Sequence, residues 1–212
     1  MIEFVILIIL SVIYLMTKPK NVYQVAYELG VHFLNTISIA PSGVNYAVMF
    51  DIDDTLIFSE TNKPIKPIIK LIKECNDRNI KVLIITARDS VYTRETMENL
   101  IQFDIYPNPE NPEFSELYNY LEVPKKAYYY DFIYLRHSPQ ENNEYFKSKV
   151  KEKLAEYNVY TIMSIGDNDV DVNGEFSGYS IKLPNIRKDD SRYDPRLFHK
   201  DASGKMVNVK IN

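Results

Sequence analysis

The chain has a single cysteine, Cys75, among its 212 residues. An internal disulfide framework is therefore excluded, and a reducing compartment suits the protein. Basic residues are not in excess either: 25 Lys and Arg stand against 29 Asp and Glu, for a net charge of -4. With no basic block, that balance argues against a surface built for nucleic acid, and no nucleic-acid partner is expected. Internal repeats and long low-complexity tracts are missing. So is an apolar run of the roughly 17–25 residues that a comfortable membrane span needs. What remains is an ordinary globular composition, 45% hydrophobic and 25% charged, in a chain long enough for one domain with a proper core.

The longest apolar run is FVILIILSVIYLM, Phe4 to Met16, broken only by Ser11. A cleavable signal wants a basic start and small residues after the run. Here Glu3 precedes it, TKPK follows, and no A-x-A-like site is present. An uncleaved, single-pass N-terminal membrane anchor is the favoured reading, with a signal peptide and secretion as the alternative. Lys18 and Lys20 would then place the following domain on the cytoplasmic side. The expected layout is an anchor and flank over residues 1–20, one α/β domain over 21–188, and a polar, loosely packed tail over 189–212.

Within the domain, Val22, Ala26, Leu29, Phe33 and Ile37 recur at helical spacing and predict an amphipathic helix over residues 22–37. Tyr46 to Ile52 reads as a buried strand. Pro64 and Pro67 punctuate the start of a helix whose face carries Ile65, Ile68, Ile69 and Ile72. KVLIITA, residues 81–87, is a second strand, and Asp89 or Ser90 is placed to cap a helix reaching about Ile101. DFIYLR, VYTIMSIG and YSIKL (131–136, 159–166 and 179–183) read as further strands, with a helix from about Asn142 to Tyr157. Residues 104–130 carry no clear pattern. Buried strands alternating with amphipathic helices predict a mostly parallel sheet covered on both faces. Such sheets bind ligands at the carboxyl ends of their strands.

Those ends carry one chemistry. The first strand ends in Asp51-Ile52-Asp53-Asp54-Thr55, the second in Thr86-Ala87-Arg88, and the fourth in Gly166-Asp167-Asn168-Asp169-Val170-Asp171. Lys147, Lys149, Lys151 and Lys153 lie on the helix before that fourth strand. Carboxylates at such density repel one another unless a cation sits among them. Mg²⁺ would make a hard oxygen site that accepts a phosphate. A carboxylate can attack phosphorus to give an aspartyl-phosphate, and a second one two residues on can protonate the leaving group.

In this the chain resembles haloacid dehalogenase (HAD) superfamily phosphatases. More narrowly it resembles the acid phosphatase family of plant acid phosphatases, vegetative storage proteins and bacterial class B-type enzymes. FDIDDT resembles that family's DxDxT motif, and LIITAR with the later T-x-E-N-L at Thr96 to Leu100 its second motif. FKSKVKEKL resembles the lysine-bearing helix, IGDNDVD the GDxxxD motif, and IKLPN the ending of the domain. The resemblance implies an HAD-like Rossmannoid fold with a minimal or small cap. It makes Asp51 the nucleophile and Asp53 the general acid/base, with Thr86 and Lys147 on the phosphoryl group. Mg²⁺ would be held by Asp51, Asp167 and the Asp53 backbone carbonyl, with Asp171 holding the metal's waters or orienting Lys147. The expected partner is a phosphomonoester small molecule.

Other readings stay open. The same site serves a nucleotidase, a polynucleotide phosphatase or a phosphotransferase, and a scaffold or storage protein could retain the fold without activity. Asp169, Asp171, Asn173 and Gly174 match the opening of an EF-hand loop, but Ser180 stands where the bidentate glutamate is needed. Asp54 is expected to cap or brace its loop, Arg88 to pair with Asp89 or else to steer substrate, and the tyrosines of AYYYDF to pack. His137 is a candidate substrate contact; His32 and His199 have no supporting context.

Overall fold

In the computed structural model, which describes residues 21–114, 123–124, 126–138, 140, 142–187 and 191–211, the apolar runs become the strands of one sheet. The chain runs α1 (Val22–Thr36), β1 (Asn45–Phe50), β2 (Ile57–Phe58), β3 (Lys63–Pro64), α2 (Lys66–Asp77) and β4 (Lys81–Asp89). A 3₁₀ turn (Ser90–Tyr92), α3 (Thr93–Ile101), β5 (Ile105–Pro107), β6 (Tyr128–Tyr130), β7 (Phe132–Arg136) and α4 (Asn143–Glu156) follow. Then come β8 (Val159–Gly166), α5 (Asp169–Val172), β9 (Tyr179–Lys182), β10 (Phe198–Lys200) and β11 (Met206–Asn208). The seven-stranded sheet has the order β11-β10-β9-β8-β1-β4-β7. Its members β9, β8, β1, β4 and β7 are parallel.

Alternation along the central strands feeds two cores. Ala47 and Met49 of β1, with Leu83 and Ile85 of β4, pack against Phe146 and Leu154 of α4. Val48, Phe50, Val82 and Ile84 point the other way, into a larger cluster with Leu34 of α1 and Ile68 and Ile72 of α2. A sheet buried on both faces tolerates the uninterrupted apolar runs that made these strands visible in the sequence. Asn21 caps α1 by accepting from the Tyr23 amide, and Pro67 sits in the first turn of α2, where no amide is missed.

The structure departs from the sequence reading in three places. β1 ends at Phe50, and the backbone turns at once, with Ile52 O accepting from Thr55, Leu56 and Ile57. Asp89 caps the short 3₁₀ turn ahead of α3. The third departure is a correction. The residues after Arg187, read as a loosely packed tail, include Leu197, which is buried, and an antiparallel β10–β11 hairpin that extends the sheet from β9. Its strands are three residues long, too short for a period-two signal, and the turn is held by Asp201 accepting from the Ser203 and Lys205 amides.

In the patternless stretch, β5 and β6 form a separate two-stranded parallel sheet. Tyr130 packs edge-on against Phe114, with ring centroids 5.7 Å apart, as expected of a packing tyrosine. The run Phe4–Met16 lies outside the described residues. Among the described residues, no helix is long and apolar enough to cross a membrane.

Candidate active site

The parity of β1 decides where its first carboxylate goes. Asp51 continues the Ala47 and Met49 side of the strand and so faces α4. There Lys147, 1% exposed, donates to Asp51 Oδ1 at 2.6 Å and to Asp171 Oδ1 at 2.5 Å. Asp171 reaches this position from α5, which opens with a capping box: Asp171 Oδ2 accepts from the Asn168 amide at 2.9 Å. Gly166 makes room for it. A Cβ on Gly166 would lie 2.3 Å from both Cβ and Oδ2 of Asp171. The glycine of IGDNDVD is thus required by close approach of a side chain.

Asp51, Asp167 and Asp171 each offer an oxygen within 4.8 Å of the others. Asp167 Oδ1 accepts from Asn168 Nδ2, whereas Asp167 Oδ2 is buried with no hydrogen-bond partner. Burial raises the Asp51 carboxyl to about 7, with Asp171 and Asp53 adding to the rise and Lys147 opposing it. Burial likewise lifts Asp167 to about 8, helped by Asp51, Asp171 and Asp54. Burial pulls the Lys147 ammonium down, but Asp171 and Asp51 outweigh it and its pKa ends raised. Lys147 pairs with only two of these three buried carboxyls, an arrangement short of positive charge.

A cavity of about 210 Å³ opens in front of this cluster, lined by Asp51, Asp53, Asp171 and Lys147 together with Arg88, Arg187 and Arg192. Asp53 is held at its rim: Arg88 Nε donates to Asp53 Oδ2 at 3.0 Å and Nη2 to Oδ1 at 2.8 Å. Arg88 also donates to Asn99 Oδ1. The expected pairing of Arg88 with Asp89 is corrected by this fork. Asp54 braces the loop as expected, its carboxylate accepting from the Ser59 amide and hydroxyl.

Of the residues singled out from sequence, Asp51, Asp53, Lys147, Asp167 and Asp171 come together here. The side chain of Thr86 does not line the cavity; it is fully buried, and its hydroxyl accepts from the Arg88 amide at 3.3 Å. Ala87 and Arg88 line the cavity in its place. Asp169 is exposed and outside the cluster, so the EF-hand pattern gathers no ligand set. His137 lines a separate groove between β7 and α4.

Sequence reasoning missed three partners. Arg187 Nε donates to Asp54 Oδ2 at 2.6 Å, Asn185 Nδ2 donates to Asn168 Oδ1, and Lys151 holds the turn behind Asp171. Lys151 Nζ donates to Ser177 Oγ at 2.5 Å and to the carbonyls of Asp171 and Asn173. Asn185, the last residue of IKLPN, and Lys151, within FKSKVKEKL, carried a signal in the sequence, and Arg187 carried none.

Comparison with curated proteins finds no match. Among solved structures, the class C acid phosphatase from Bacillus anthracis is similar over 78% of this chain and 70% of its own, at 15% identity and a TM-score of 0.48. A chain from the structure of the Pnkp1/Rnl/Hen1 complex is similar over 64% of this chain and 43% of its own, at 14% identity and a TM-score of 0.45. The family model described as HAD superfamily, subfamily IIIB (acid phosphatase) matches residues 59–189. That span holds Thr86, Lys147, Asp167 and Asp171, and begins just after FDIDDT. It covers more than half of the sequence, and on that match the chain belongs to HAD superfamily subfamily IIIB, the acid phosphatases.

Proposed function

We propose that this phosphatase is a Mg²⁺-dependent phosphomonoester hydrolase working through an aspartyl-phosphate on Asp51. The observation that carries the reading is the cluster of Asp51, Asp167 and Asp171 around a single lysine, with Asp167 Oδ2 buried and unpartnered. An orphaned carboxylate oxygen beside two others is what a hard divalent cation would satisfy. Asp51, Asp167 and Asp171 would hold Mg²⁺, together with the Asp53 backbone carbonyl implied by the family motif. When bound, the ion would neutralise the carboxylates and the charge of the phosphoryl oxygens.

The chain's own groups supply the rest. Asp51 attacks phosphorus, and Lys147, hydrogen-bonded to it, opposes the burial that favours the protonated carboxyl and stabilises the transferring group. Arg88, Arg187 and Arg192 give the cavity the cationic lining that a phosphate dianion needs. Asp53 delivers the proton to the leaving oxygen. Both of its oxygens are engaged by Arg88, so an arriving phosphate that competes for the guanidinium also frees the carboxylate to take up from water the proton that it then delivers. With the leaving group gone, Asp53 takes a proton from water, which breaks the acyl-phosphate.

Phosphate release from an aryl phosphate tests this, using the full chain with Mg²⁺ and then with excess EDTA. Release should stop in EDTA and in Asp51→Asn. Turnover that survives in Asp51→Asn would remove the nucleophile assignment, and turnover indifferent to EDTA would remove the metal.

A further inference from the structure

Helix α1 runs from the cavity end of the molecule to the opposite end. At its start, Tyr23 meets Phe58, just after the FDIDDT loop, with ring centroids 5.4 Å apart. Burial, and after it Asp54 and Asp167, push the Tyr23 phenol up to about 12. Near its end, Phe33 stacks on Tyr179 at the start of β9, 4.5 Å between centroids. Leu34 lines a cavity with Asn45, Tyr46 and Ile80, at the other ends of the strands. Asn21, where the chain leaves α1 towards the apolar run Phe4–Met16, therefore stands on the cavity side. Five residues, Thr17 to Asn21, separate that run from α1. At about 3.6 Å each they reach no further than about 18 Å.

The surface of the same end is suited to a lipid–water boundary. Val91 and Tyr92 follow β4, Tyr145 is in the first turn of α4, and all three are exposed. Ile186 and Tyr193, also exposed, adjoin Arg187 and Arg192, which line the cavity. Asn185 and Asp194 pair as an antiparallel bridge and hold these two pairs side by side. Aromatic and aliphatic side chains interleaved with arginines are the composition that binds anionic bilayer surfaces. The opposite end exposes Ile39, Tyr157 and Tyr160, with Arg78 lining a cavity beside Ile39 and Lys153 over the Tyr157 ring, so it is the position of Asn21 that tells the two ends apart.

The geometry points to a catalytic cavity turned towards a bilayer, with phosphomonoester headgroups of anionic lipids as its substrate class. This rests on the phosphatase reading above and on Phe4–Met16 as a membrane anchor. The reaction balances as hydrolysis: the P–O bond to the lipid breaks, water supplies the hydroxyl, and inorganic phosphate leaves a neutral lipid alcohol in the membrane. A soluble phosphomonoester offers the same group, so location is the discriminating variable.

The chain has no tryptophan, which makes single-tryptophan variants clean reporters. Full-length Tyr193→Trp and Ile39→Trp would each be reconstituted into vesicles containing a dansyl-labelled lipid. Energy transfer to the dansyl group should be several-fold stronger from position 193 than from position 39. Equal or reversed transfer, or failure to associate with the vesicles, would overturn the orientation. In a second arm, wild-type protein with Mg²⁺ meets phosphatidate in its own vesicles or glycerol phosphate at equal bulk concentration. Release from phosphatidate should be faster by at least about tenfold, since a shared surface raises the effective concentration. An equal or slower rate overturns the substrate class. If an aryl phosphate is also left intact, the phosphatase reading fails with it, while energy transfer still reports orientation by itself.

Discussion

At the scale of single residues, the site is a problem of too many carboxyls for one ammonium. The folded protein without metal keeps protons on Asp51 and Asp167, at about 7 and about 8, against an ordinary value of 3.8 in the unfolded chain. Between these limits the folded state binds more protons than the unfolded state. Stability is then full near pH 4, falls as pH rises, and levels off once pH has passed the folded pKa values. Each carboxyl contributes a slope of up to roughly 1.4 kcal/mol per pH unit in that window. Chemical denaturation in EDTA should therefore show stability falling between about pH 4 and 8, and Mg²⁺ added at pH 8 should restore it. A flat profile in EDTA would mean that the carboxylates are tolerated without a cation.

Gly166 makes a second prediction at this scale. In Gly166→Ala the new Cβ competes with Asp171 for one place, so Asp171 must withdraw from Lys147. Displacement of a site residue by about 1 Å costs on the order of 100-fold in rate. Turnover of aryl phosphate should fall by about that much, with the circular dichroism spectrum of the parent retained. Near-normal turnover would show that Asp171 is dispensable where it now sits.

At the scale of elements, helix α4 does two tasks with lysines four residues apart, one turn of helix. Lys147 serves the cluster, and Lys151 pins the turn from Asp171 to Ser177. Burial holds the Lys151 ammonium down at about 8, with Lys147 and Lys200 pulling the same way against Asp171. Truncation in Lys151→Ala leaves Ser177 Oγ and the Asp171 carbonyl short of a donor in a buried place, at a cost of about 1–3 kcal/mol. Urea denaturation should show that loss. Because the same turn carries Asp171, turnover should fall too, and Lys151→Arg should recover more of both than Lys151→Met. If all three variants match the wild type, α4 serves the site through Lys147 alone.

This division explains what the sequence made legible. β1, β4 and β8 announced themselves because strands buried on both faces are continuous apolar runs. Asp51, Asp167 and Lys147 followed from being next to them or on the helix between them. Partner choice was not legible. Arg88 turned from its neighbour Asp89 to Asp53, 35 positions away, and Arg187 found Asp54 at a separation of 133. Thr86 kept its place at the strand end, but its hydroxyl turned to the Arg88 amide, a local bond that motif spacing does not encode.

At the scale of the whole molecule, the sheet and the site are separable at the C-terminus. The β10–β11 hairpin covers the β9 edge, and Leu197 before it is buried. Yet no described residue beyond Arg192 lines the cavity. Removing residues 196–212 should cost at least the roughly 2–5 kcal/mol of losing a buried leucine. It also bares β9, whose unpaired edge invites association between copies. Arg187, its bond to Asp54, and the Asn185–Asp194 bridge remain in the shortened chain. The truncated protein should melt lower and aggregate sooner on heating, while turnover per folded molecule at 20 °C stays within about twofold of the parent, distant parts of a structure being nearly additive. A collapse of turnover in protein that is still folded would mean that the hairpin sets the position of Arg187 and Arg192. The sheet edge would then be part of the catalytic apparatus, and the C-terminal strands would belong to the site as much as to the fold.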